Sequence, residues 1–75
     1  MVLQDFTIEF AKQFDDTDLS EIKEDTVFQE LEEWSSLTVL SVIAFVKTSF
    51  NKKMTGKEIR SCETVKDLFD LVVSK

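Results

Sequence analysis

The run from Leu37 to Phe50, LTVLSVIAFVKTSF, is apolar around most of a helical circumference, and it limits the possible folds more than any other stretch. Such a helix needs neighbours on several sides, as the central member of a small bundle has. No proline and a single glycine, Gly56, interrupt the 75 residues, so turn-rich β architectures are disfavoured and a mainly helical chain is expected. With 43% hydrophobic residues the chain is too apolar for a disordered tail, and its length suits one domain, residues 1–75, near the lower limit for an independent core.

The surrounding sequence supplies the neighbours. Val2 or Leu3, Phe6, Phe10 and Phe14 recur at helical spacing and predict a first helix over 2–15, with Ile8 off the main stripe. Three phenylalanines on one stripe read as a core face more simply than as a ligand box. Residues 16–34 form a long connection, which Leu19, Ile22, Val27, Phe28 and Leu31 are expected to pin down, with Thr26 and Gln29 as a capping box. Ser35 is the better N-cap for the second helix, leaving Ser36 in its first turn, and the helix runs to about Phe50. Thr38, Ser41, Thr48 and Ser49 share a narrow polar stripe with Phe45 in its middle. Either another helix covers Phe45 or Phe45 meets a partner. Asn51-Lys52-Lys53 is a solvated exit. Thr55-Gly56-Lys57-Glu58 is a capping box opening a short third helix to about Ser61, with Ile59 inward and Met54 packing just before it. Thr64 caps the last helix, whose apolar face is Val65, Leu68, Phe69 and Val72.

Several chemistries are disfavoured. There is no histidine, the commonest general base and metal ligand, and the lone Cys62 reads as packing material suited to a reducing compartment. Asp15-Asp16-Thr17-Asp18 opens like a calcium loop. Counted from Asp16, however, it has Glu21 where glycine belongs and Val27 where glutamate belongs. With no phosphate loop and no acid–base pair, the chain is not expected to be an enzyme. Neither a leader peptide nor a membrane span is expected, which suits a cytoplasmic protein. The net charge of −6 argues against nucleic acid as a partner. Residues 1–35 carry −9 and residues 36–75 carry +3, so basic partner surfaces would be steered to the first half.

Trp34-Ser35-Ser36-Leu37, followed by Val39, Leu40, Ile43, Val46 and Phe50, resembles the modification site and second helix of the acyl carrier protein family. The order of elements extends the resemblance over nearly the whole chain. It implies an all-α, four-helix acyl-carrier-protein-like bundle with three longer helices, one short helix and a long first loop. It also implies a 4′-phosphopantetheine arm on Ser36, the position of the serine in the family's Asp-Ser-Leu motif. Such a protein would hold acyl intermediates as thioesters in fatty acid or related lipid and polyketide synthesis. Its partners would be a phosphopantetheinyl transferase and acyl-processing or acyl-loading enzymes, and it would work as a monomer. Trp34, Ser35, Leu37, Ser41 and Phe45 are the candidate partner contacts. Leu37, Leu40, Ala44, Ile59 and Val65 would line an acyl pocket between the second and third helices. The chain departs from the family at Ser35, in place of aspartate, and at Glu33, in place of a frequent glycine. From Ser36 to Phe50 it has no acid, although typical members dock through acids on this helix. Docking would then fall to Glu30, Glu32 and Glu33 or to apolar and hydroxyl contacts, and enzymes expecting an acidic second helix would use this chain poorly. Two alternatives remain open: a cofactor-free helical interaction module, and a peptidyl or aminoacyl carrier of a nonribosomal or cell-wall pathway.

Overall fold

In the computed structural model, which describes residues 2–15 and 17–75, four helices follow in order: α1 Leu3–Ala11, α2 Ser36–Phe50, α3 Gly56–Arg60 and α4 Val65–Val73. Two 3-10 turns, Leu19–Glu21 and Phe28–Glu30, punctuate the connection before α2. No strand forms among the described residues; Val27 and Thr64 make one isolated antiparallel bridge.

α1 is shorter than the expected 2–15. Beyond Ala11 the backbone tightens, with Gln13 N–H donating to Phe10 O and Phe14 N–H to Ala11 O. The tightened turn still buries Phe14. All seven phenylalanines and Trp34 join one aromatic network that hinges on the Phe6–Phe10 pair of α1. Phe6 meets Phe45, Phe50 and Phe69, while Phe10 meets Phe14, Phe28 and Trp34. The phenylalanine stripe is therefore a core face. α1 packs on α4 and α2 on α3, and the buried side chains form one cluster.

The connection is fixed as much by its backbone as by its side chains. Ile22 and Phe28 are buried and Leu31 half-buried, as expected, but Leu19 is 51% exposed and Val27 is exposed. Val27 contributes through its bridge to Thr64 instead. Next to it, Thr26 O accepts from Val65 N–H at 3.2 Å and Glu24 O from Lys66 N–H at 2.9 Å. These carbonyls satisfy the first two open donors of α4. Thr64 Oγ1 accepts the third, from Asp67 N–H, in a complete capping box. Thr55 and Glu58 form the expected box on α3.

The Thr26–Gln29 capping box does not form. Thr26 Oγ1 accepts from Lys23 N–H, whereas Gln29 reaches across to α3. An unexpected capping box, Asp18 with Glu21, sets the first 3-10 turn. Asp16, from which the rejected calcium loop was counted, lies outside the described residues; among those described, no cluster of ligands could hold a metal ion. No helix among them is long and apolar enough to cross a membrane.

Candidate functional site

α2 begins where the sequence places it, with Ser35 as the extended N-cap and Ser36 as the first helical residue. The cap itself is unusual. Ser35 makes no side-chain capping bond; its hydroxyl lies 3.4 Å from Thr38 Oγ1, which in turn donates to Glu33 O at 2.9 Å. α3 and α4 each satisfy first-turn N–H groups with a threonine hydroxyl. At α2, the N–H groups of Ser36, Leu37 and Thr38 find no acceptor among the described residues. The Ser36 hydroxyl is exposed and has no hydrogen-bond partner among them either. Open N–H donors at the positive end of a 15-residue helix favour an anion beside that hydroxyl.

The segment leading into the site is held from behind. Glu33 accepts from Asp15 N–H at 2.7 Å and from Thr17 Oγ1 at 2.6 Å. Its carboxylate clips the exit of α1 to the entry of α2. Trp34 packs edge-on to Phe28 at 4.8 Å between ring centroids, with Phe10 and Phe14 behind. The half-buried ring anchors the loop and lines the groove beside the serines.

A groove of about 500 Å³ opens at this end of the bundle. Trp34, Ser35 and Ser36 form its mouth, Val39, Leu40 and Ile43 of α2 one wall, and Gln29, Gly56 and Arg60 the other side. Sequence reasoning singled out Leu40 but missed Val39, Ile43, Gln29, Gly56 and Arg60 as a group. Three of these come from outside α2 and are brought to it only by packing.

The expected pocket residues do not converge. Leu40 is 61% exposed at the groove edge, and Ala44, one turn on, is exposed away from it. Ile59 and Val65 are fully buried in the core. Leu37, at 76% exposure, stands beside the groove without lining it. α2 turns Val42, Phe45 and Val46 inward, so Leu40 and Ala44 face out.

Among the candidate partner contacts, Phe45 requires correction. It is 8% exposed, with its ring 5.6 Å from Phe6 and 6.1 Å from Phe50, so another helix covers it and it cannot meet a partner on the folded surface. The polar stripe is broken in the same way: Thr38 is buried and Ser41 half-buried, leaving Thr48 and Ser49 in solvent. Cys62 is buried, its Sγ donating to Glu58 O, and burial pushes its thiol pKa up, away from nucleophilic reactivity. The acids Glu30 and Glu32 are exposed and line a separate acidic groove with Thr17, Glu21, Leu31 and Glu33.

No family model matches the chain, and no curated protein or solved structure matches it either.

Proposed function

We propose that the protein is a carrier of the acyl-carrier-protein type, with a 4′-phosphopantetheine arm attached to the Ser36 hydroxyl. The observation that carries this reading is the start of α2. A pair of capping serines would have been the ordinary explanation of Ser35 and Ser36, yet neither hydroxyl caps a backbone N–H. An exposed hydroxyl and three open N–H groups are left together at a helix N-terminus, an arrangement suited to accepting a phosphate-linked group. The four-helix order and the resemblance across Trp34-Ser35-Ser36-Leu37 point the same way.

In this role the chain is a substrate and a carrier, not a catalyst. Ser36 Oγ would form the bond to phosphorus as the P–O–P bond of coenzyme A breaks and adenosine 3′,5′-bisphosphate leaves, and the hydroxyl proton would pass to the transferase. When attached, the arm supplies a terminal thiol that holds acyl groups as thioesters. The chain's own residues hold Ser36 rigid through the Trp34 anchor and the Glu33 clip, and keep its hydroxyl in solvent within reach of enzymes. Leu37 and Leu40, both exposed beside the serine, are the apolar contacts left for those enzymes on an acid-free helix.

Intact mass after incubation with coenzyme A and a broad-specificity phosphopantetheinyl transferase tests the reading. One phosphopantetheine should add to the wild type and none to Ser36→Ala. Addition that survives in Ser36→Ala and disappears in Ser35→Ala would move the site by one residue. No addition with several transferases would favour the cofactor-free interaction module.

A further inference from the structure

Two grooves flank the segment that carries the serines, and their charges differ. The larger one, of about 670 Å³, is bordered by Glu21, Glu30, Glu32 and Glu33. The other contains Ser36 itself and one formal charge, that of Arg60. Arg60 is the only arginine of the chain, and its guanidinium has no hydrogen bond or ion pair among the described residues. Its backbone, by contrast, is tied down, since Arg60 O accepts from Gln29 Nε2 at 2.9 Å.

Arg60 is exposed, and its guanidinium lies against Gly56. A methyl group built on Gly56 would stand 3.4 Å from Arg60 Nη1 and 3.7 Å from Val39 Cγ1. The Arg60 side chain thus folds back along α3 against Gly56, and both residues line the groove. Gly56 does not have a positive φ, so no backbone requirement accounts for glycine here.

The geometry points to Arg60, lying against Gly56, as the residue that binds the phosphodiester of the Ser36-linked arm and directs the arm along Val39, Leu40 and Ile43. The inference rests on the carrier reading above. It adds the groove the arm takes and the residue that sets that direction. Charge complementarity selects the occupant: the phosphodiester is the arm's only anion, the glutamate groove repels it, and a guanidinium matches phosphate oxygens with paired N–H donors. The groove's volume falls within the range of small-ligand sites, and its apolar wall suits the uncharged remainder of the arm.

The test compares apo and holo protein, with attachment first verified by intact mass. A lone arginine gives one unambiguous Nε–Hε resonance in ¹H–¹⁵N spectra. That resonance should shift between the apo and holo forms. The ³¹P resonance of the holo protein should shift in Arg60→Gln and stay near the wild-type position in Arg60→Lys. Holo protein of the correct mass, with Arg60 Nε–Hε unmoved and ³¹P indifferent to Arg60→Gln, would overturn the inference and leave the carrier reading intact. Failure of the mass to increase would remove both.

Discussion

Replacing Gln29 isolates a contact that joins the long connection to α3 and holds one side of the candidate groove. Its side-chain nitrogen lies 2.6 Å from Cys62 O, 2.9 Å from Arg60 O and 3.4 Å from Ile59 O. Three carbonyls around one atom assign it as the NH2 group, whose two hydrogens serve the two nearer oxygens. α3 is five residues long, so its last carbonyls have little intrahelical support. Gln29→Ala removes two hydrogen bonds worth about 0.5–1.5 kcal/mol each, and because water reaches this half-buried site the lower half of that range applies, about 1–2 kcal/mol in all. For a chain of this size that lowers the midpoint of thermal unfolding by about 4–16 °C. Gln29→Glu is the sharper variant. At pH 7 it sets a carboxylate against three carbonyl oxygens and should be less stable than Gln29→Ala. Those oxygens raise the new carboxyl's folded pKa above its unfolded value of about 4.3. Its deficit relative to Gln29→Ala is therefore present at pH 7 and shrinks as pH falls through the folded pKa, when the protonated group can donate. Urea and thermal unfolding followed by circular dichroism between pH 4 and 7 measure both differences. A Gln29→Ala variant within about 0.3 kcal/mol of wild type, or a Gln29→Glu variant at least as stable as it at pH 7, would refute the reasoning.

Phe45→Ala should cost about 3–5 kcal/mol, since it empties a site enclosed by Phe6 and Phe50, and an unchanged urea midpoint would return Phe45 to the surface. Thr64→Ala should cost about 1 kcal/mol through loss of the α4 cap, as read from thermal unfolding. Asp67 is held below its usual pKa of 3.8, chiefly by the Thr64 N–H. Its contribution is thus complete above that value and lost as pH falls through the lower folded one. Accordingly Asp67→Asn should be the less stable form near neutrality and converge on wild type in acid; a gap that widened in acid would contradict the assignment.

The helix starts were legible because their determinants are local. Thr55 with Glu58 and Thr64 with Asp67 bond within three residues, so the pattern in the chain is already the contact in the fold. Ser36 was legible for the same reason, standing where a polar segment meets an apolar run. The Thr26–Gln29 pattern shows the limit of this logic: the spacing was right, but three carbonyls of the α3 region compete for the Gln29 side chain and win.

Sequence alone determined that the chain is helical, where α2, α3 and α4 begin, and which hydroxyl heads the central helix. Only the tertiary structure decided how α2 is turned. A helix apolar on nearly every side offers no pattern from which to read its buried face, so burial of Phe45 and exposure of Leu40 were fixed by the packing of Phe6, Phe50 and the other helices. The Glu33 clip and the groove side made by Gln29, Gly56 and Arg60 belong to the same class. Each joins residues that are distant in the chain, and no local pattern encodes such a meeting.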